Sequence, residues 1–154
     1  MKPADMQLFV DISVNFFTKL TGEPPLIADG QLQFGLSPLL DFTGMIHISG
    51  ASAGVVGLSL SSSMAMALLT GSGESRFDEA ACDDFVGEAA SIIASNARMV
   101  FGSSFGISIP QRSRRSSVST EWPYSRLALP IRWRSHEAVL FLALSEASDP
   151  VPFS

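Results

Sequence analysis

The chain has 154 residues, a net charge of −5, 46% apolar residues and 16% charged residues. This length predicts a single domain over residues 1–154 with a C-terminal tail from about residue 146, and the apolar fraction excludes a disordered chain. No apolar run could span a bilayer and no secretory signal is recognisable, while the overall acidity argues against nucleic-acid binding. A single cysteine, Cys82, excludes an internal disulfide. We therefore expect a cytoplasmic protein that binds neither membrane nor nucleic acid.

Three segments have the patterns of helices. Residues 5–21 are amphipathic and are followed by Gly22 and two prolines, which end helices. A short helix from Met64 to Leu69 follows three serines that can act as N-caps. The longest helix is predicted from about residue 78 to 101. We expect its inward stripe to comprise Phe85, Ala89, Ile92, Ile93, Asn96 and Val100, and its exposed stripe to comprise Asp84, Glu88, Ser91, Ser95 and Arg98.

The remaining segments favour strands. Residues 41–60 have the pattern of a hairpin, with strands at 42–48 and 55–60 and a five-residue turn from Gly50 to Gly54. Other strands are predicted at 31–36, 105–110, 115–120, 126–133 and 138–144, with a turn over 134–137. Because strands outnumber helices and several are joined by short hairpins, we predict an α+β fold. It would be a mostly antiparallel sheet with two long helices packed on one face.

Several local motifs suggest chemistry, but their contexts argue against it. Residues 102–106 match G-x-S-x-G, yet a helix precedes and a strand follows, which reverses the order of a nucleophile elbow. His47 and His136 lack ligand-like neighbours, so we expect no metal site. Residues 71–74 lack the third glycine and the preceding strand of a nucleotide-binding loop.

The C-terminal part of the chain is basic. Its arginines could face an acidic partner, or they could form a solvated surface, which is the more common role of such clusters. They are Arg112, Arg114, Arg115, Arg126, Arg132 and Arg134.

The long helix carries a resemblance to a known family. Residues 87–98, Gly-Glu-Ala-Ala-Ser-Ile-Ile-Ala-Ser-Asn-Ala-Arg, resemble the signature helix of CheX-like and CheC-like proteins, roughly G-E-x-x-N-x-x-x-G-N-A. Segments 9–15, 42–56 and 105–110 resemble other parts of these proteins in the same order. The chain is thus similar, over about residues 6–145, to the CheX branch of the chemotaxis phosphatase superfamily.

This resemblance implies a role in chemotaxis or two-component signalling. The partner would be a phosphorylated CheY-type response regulator, the protein would be a homodimer, and it would hold no cofactor, because the Mg2+ belongs to the regulator. In the family a Glu pairs with a regulator Lys, and an Asn carboxamide orients the attacking water. The resemblance assigns catalytic roles to Glu88 and Ser91, and partner contacts to Asp84, Glu88 and Ser95. From spacing alone, the favoured interpretation of Glu88 is a solvated residue on an acidic helix face beside Asp84.

The sequence departs from the family at the decisive position. Ser91 replaces the family Asn and Ser95 replaces a Gly, whereas Asn96 matches a structural Asn. A serine offers one short hydroxyl in place of a carboxamide with separate donor and acceptor ends, so we expect weakened phosphatase activity. Two alternatives stay open. One is a non-catalytic adaptor or dimerisation module that binds a receiver domain or another signalling partner; the other is an active phosphatase that positions water through Ser91 or another group.

Overall fold

The helices of the protein lie close to their predicted positions. The computed structural model describes residues 3–27, 31–33, 40–49, 52–101, 106–107, 111–114 and 126–146. In this part of the chain there are three helices: α1 (Pro3–Thr21), α2 (Ser62–Gly71) and α3 (Glu79–Phe101). None of the described helices combines the length and the hydropathy needed to cross a bilayer.

The described strands form one sheet. They are β1 (Leu26–Ile27), β2 (Gln31–Gln33), β3 (Phe42–Ser49), β4 (Ser52–Leu60), β5 (Gly106–Ile107), β6 (Gln111–Arg114), β7 (Arg126–Trp133) and β8 (His136–Glu146). The strand order is β1-β7-β8-β4-β3-β5, with β2 also paired to β7 and β6 to β3. Every described pair is antiparallel, which confirms the predicted α+β fold.

The main hydrophobic core lies between the helices and one face of the sheet. Large side chains from the helices and from the sheet are fully buried there, and the removal of their apolar surface from water stabilises the fold. They include Phe9, Phe17, Met64, Leu68, Ile93, Ile46, Leu58 and Leu129. Helix α3 packs on the sheet, and α1 packs against α3 and α2. Both long helices contribute side chains to this one core, in agreement with the predicted fold.

The opposite face of the sheet has a smaller cluster. Val55 and Phe141 are fully buried there, and Met45 packs against them. Phe141 lies directly across from Gly57 on the neighbouring strand, and a Cβ atom at that glycine would be 2.0 Å from a ring carbon. The aromatic ring therefore fills the space that a side chain would otherwise occupy.

Local signals account for the helix boundaries. The N–H of Gly22 donates to the carbonyl of Thr18 at 2.8 Å, and this glycine has the positive φ of 81° that ends α1. At the start of α2, the Ser61 hydroxyl accepts from the backbone N–H of Met64 at 3.1 Å. The Asp41 carboxylate accepts a second helix-end bond, from the N–H of Ser62 at 2.8 Å.

Two predicted turns were too long, and strands β1 and β6 were not predicted. Strand β4 begins at Ser52, because its first residues pair with the end of β8, so the predicted turn from Gly50 to Gly54 is wrong in extent. The β7–β8 turn comprises only Arg134 and Ser135. Strand β1 has two residues and depends on pairing with distant β7. Predictions for residues 34–36, 102–105, 108–110, 115–120 and 147–154 fall outside the described residues.

Two of the C-terminal arginines have partners within the chain. Arg134 has an unusual positive φ of 56°, donates to the Glu23 carboxylate at 2.8 Å and lies 4.6 Å from the ring centre of Trp133. Arg132 pairs with Glu137 on the adjacent strand at 3.6 Å. For these two residues, the structure favours the solvated-surface interpretation over a site for an acidic partner. The side chains of the other four lie outside the described residues.

Candidate functional site

Helix α3, which carries the residues of interest, is seated directly on strand β3. At Gly44 a Cβ atom would lie 2.6 Å from the carbonyl oxygen of Val86 and 3.0 Å from the Cα of Gly87. Only glycine on the strand permits this approach, since both neighbours are backbone atoms that cannot rotate away. The contact fixes the height of the helix above the sheet at the residue immediately before Glu88.

The N-terminus of α3 is held by Asp78. Its carboxylate accepts from the backbone N–H of Ala81 at 2.8 Å, and its carbonyl accepts from the N–H of Cys82 at 3.1 Å. Arg76 donates to both carboxylate oxygens at 3.2 Å. The backbone hydrogen bond and then the Arg76 contact lower the pKa of the Asp78 carboxyl. The helix therefore starts at a fixed point, about two and a half turns before Glu88.

The buried face of α3 differs from the predicted stripe. It consists mainly of small side chains: Cys82, Val86, Ala89, Ala90, Ile93, Ala94 and Ala97. Ile92 is 41% exposed and Asn96 is also exposed, so the prediction that both face inward is wrong. Phe85 is half-buried, and the side chain of Val100 lies outside the described residues. Alanines give a weak hydrophobic signal, and this is why the sequence pattern pointed to the larger residues beside them.

Glu88 lies on the solvent side of α3, as predicted. It is exposed and forms no hydrogen bond or ion pair with any other residue that the structure describes. It lines a small cleft of about 130 Å³ between α3 and the end of α2, together with Leu69, Glu74, Arg76, Ala81, Asp84 and Phe85. Asp84 is exposed one helical turn before it. This position leaves the Glu88 carboxylate available to a cationic group from another molecule.

Ser91 and Ser95 lie farther along the same helix and are both half-buried. Elsewhere in the described helices, the hydroxyls of Ser13, Thr18 and Thr70 donate to the carbonyl four residues earlier. Within the described part of the chain, Ser91 and Ser95 form no such bond. Glu88 and Ser91 are three residues apart, which places them about 4.5 Å apart along the helix axis. A carboxylate and a free hydroxyl are therefore presented side by side.

Cys82 and the two histidines do not form a chemical site with these residues. Cys82 lies on the buried face of α3, and burial together with neighbouring acidic charges raises the pKa of its thiol. His136 stacks on Trp133 with ring centres 5.8 Å apart. Among the residues described, no cluster of three or more His, Cys, Asp or Glu side chains is arranged to hold a metal ion.

Comparison with known proteins assigns the family. The family described as "Chemotaxis phosphatase CheX" matches residues 42–132, well over half of the chain. The protein belongs to the CheX family. This confirms the resemblance seen in the sequence of α3. A comparison with curated proteins gave no match.

Solved structures of other CheX-like and CheC-like proteins share the fold. CheX from Desulfovibrio desulfuricans has a TM-score of 0.80 at 17% identity, with 92% of this chain and 99% of that chain covered. A CheC-like protein from Shewanella sp. PV-4 has a TM-score of 0.81 at 16% identity, covering 94% and 99%. The Borrelia burgdorferi CheX in a CheX–CheY–BeF3–Mg2+ complex has a TM-score of 0.72 at 15% identity, covering 92% and 97%. At these identities the likeness concerns the fold alone.

One feature of this face is not apparent from the sequence. The exposed side chains of Ile92 and Asn96 line a groove between α3 and α1, next to the Glu88 position. The groove could not be predicted, because it depends on how closely the two helices approach each other. The only available signal was the apolar character of α3 on more than one side.

Proposed function

We propose that this CheX-family protein acts on a phosphorylated CheY-type response regulator, with weakened phosphatase activity. The observation that carries this proposal is the exposed Glu88 at the family's Glu position, with the free hydroxyl of Ser91 one turn along the same helix. The solved CheX–CheY complex from Borrelia burgdorferi, which shares the fold, supports the choice of partner. A regulator of this kind is intracellular, so we place the protein in the cytoplasm.

The proposed reaction is hydrolysis of an aspartyl phosphate held by the regulator. Water attacks the phosphorus, the bond between phosphorus and the aspartyl oxygen breaks, and inorganic phosphate and a free carboxylate result. Charge on the transferring phosphoryl group would be stabilised by Mg2+ held by the regulator, so the proposed reaction requires no cofactor in this protein. Its own contribution is to position the regulator and the water.

Each site residue has a distinct part in this proposal. Glu88, with Asp84 one turn before it, offers negative charge to a Lys of the regulator. Ser91 occupies the place from which the family orients water. A Ser hydroxyl ends about 1–1.5 Å short of an Asn amide, and a misplacement of about 1 Å can lower a rate by about 10²-fold. Ser95 lies one turn beyond Ser91 and stands where the family has a Gly, so it adds bulk where the regulator would approach.

Binding tests the proposal separately from chemistry. The receiver proteins encoded beside this gene would be loaded with BeF3 and Mg2+ and titrated calorimetrically with wild type and with Glu88→Gln, which removes the charge and keeps the shape. A charge-assisted contact is worth about 1.5–3 kcal/mol, so we expect affinity to fall about 10- to 150-fold. Glu137→Gln is the matched control, because Glu137 is an exposed acid on β8, away from α1 and α3. Equal affinities for wild type and Glu88→Gln would leave Glu88 as a plain solvated residue.

The adaptor alternative predicts a different pattern. An adaptor that uses the same face would bind a receiver through Glu88 but would release no phosphate, and substitutions at Ser91 would leave that unchanged. The homodimer implied by the family stays a prediction as well, and light scattering of the purified protein would test it.

A further inference from the structure

A groove runs between helices α1 and α3, beside the proposed regulator-binding residues. It is open to solvent and has a volume of about 500 Å³. Side chains from both helices line it: Ile12, Asn15, Phe16, Lys19, Leu20, Ile92 and Asn96. The base is mainly apolar and two carboxamides lie among the lining groups. This chemistry suits an apolar side chain flanked by polar groups.

Ile92 is the most informative residue in this groove. It is 41% exposed, although most of the other apolar residues described on α3 are buried. It follows Glu88 by four residues, so the two side chains are neighbours on the helix surface. The groove is therefore continuous with the face that we propose for the regulator. Ile92 also joins the apolar side chains of α1 in one open surface with polar groups among them, and a contiguous apolar surface rimmed by polar groups often marks part of an interface.

Charge divides this face into two parts. The groove has one formally charged lining residue, Lys19. The cleft on the other side of Glu88 contains three carboxylates, from Glu74, Asp84 and Glu88 itself, and its Arg76 is paired with Asp78 outside the cleft. A complementary partner would present a cation toward Glu88, and an apolar side chain with a nearby acidic group toward the groove.

We propose that the groove binds an apolar side chain of the same phosphorylated regulator that Glu88 contacts, with an acidic group of that regulator facing Lys19. This inference rests on the proposed function, and it names a second point of contact. The anchor in the groove would orient the regulator around Glu88 and discriminate among receivers, because receivers that lack an apolar group at this point would leave Ile92 uncovered. Burial of the part of Ile92 now in water would supply the affinity.

The test uses full-length protein and each receiver encoded beside the gene, loaded with BeF3 and Mg2+. Ile92→Ala should weaken binding of the cognate receiver about fivefold, because the substitution removes apolar surface that is exposed in the free protein and would be buried by the receiver. Ile92→Glu should weaken it about tenfold or more, because it places a charge in an apolar contact. Met66→Ala is the matched control, since Met66 is an apolar residue on α2 with 40% exposure. Lys19→Glu should also weaken binding, and the effect should shrink at high salt.

The outcomes distinguish failure of this inference from failure of the proposed function on which it rests. If Glu88→Gln weakens binding and Ile92→Glu does not, the groove is no part of the interface and only this inference fails. If wild type binds no receiver, the proposed function and this inference fail together. Sedimentation of the free proteins tests whether a second copy of the chain occupies the groove instead. An Ile92→Glu protein that changes from dimer to monomer would overturn the inference, because the groove would then be covered by another copy of the chain.

Discussion

Replacement of Gly44 by alanine should disturb both the stability and the site of this protein. The new Cβ would lie 2.6 Å from the Val86 carbonyl oxygen, whereas an ordinary contact begins at 3.4 Å. Strand and helix must therefore separate by about 0.8 Å, and overpacking of this kind usually costs about 1–3 kcal/mol. For a chain of this size, the melting temperature should fall by about 2–12 °C. Glu88 and Ser91 should move with the helix, so receiver affinity should fall as well.

The control is Gly57→Ala, which separates lost stability from a displaced site. Its Cβ would meet the ring of Phe141 on the face of the sheet away from the helices. Calorimetric melting and titration with a BeF3-loaded receiver would be measured for both variants. We expect both to be less stable and only Gly44→Ala to bind more weakly. A Gly44→Ala protein with wild-type melting temperature and affinity would refute the argument that the close backbone approach positions the site.

Two further predictions concern the start of α3. Asp78→Asn keeps a hydrogen-bond acceptor at this position and removes the charge. The pKa of Asp78 is lowered in the folded protein. The ionised carboxylate therefore stabilises the fold above the unfolded pKa of about 3.9, and this stabilisation is lost as pH falls through the folded pKa. Thermal melts should thus show a deficit for Asp78→Asn at pH 7 that disappears in acid, and a pH-independent deficit would contradict this. The buried Cys82 thiol, with its raised pKa, should react with iodoacetamide at least about tenfold more slowly in the folded than in the unfolded protein, and equal rates would contradict it.

Sequence patterns were sufficient where structure is decided locally. The C-terminal end of α1 follows from Gly22 and the N-terminal start of α2 follows from Ser61, and both residues form the expected capping hydrogen bonds. The β3–β4 pair follows from alternating β-prone residues, and its register is the one that places Ile46 and Leu58 in the core. Such signals act over a few residues, so they can be read without knowledge of the rest of the chain.

Features that depend on distant parts of the chain could not be predicted in this way. The two-residue strand β1 exists only through its pairing with β7, and β4 is extended back to Ser52 by pairing with β8. The exposure of Ile92 is decided by the position of α1 beside α3. The sequence motif did place Glu88 and Ser91 on an accessible side of α3, because helical periodicity and the family resemblance agreed at that point.

The most direct test of the account is the rate of phosphate release from the cognate receiver. Phosphorylated receivers encoded beside the gene would be mixed with wild type, Ser91→Asn, and Ser91→Asn combined with Ser95→Gly. Wild type should be slow and Ser91→Asn faster by about tenfold or more, since recovery of a water-orienting carboxamide lowers the barrier by up to about 2.7 kcal/mol. The double variant should be at least as fast. A fast wild type that is slowed by Ser91→Asn would contradict the account, because another residue would then position the water.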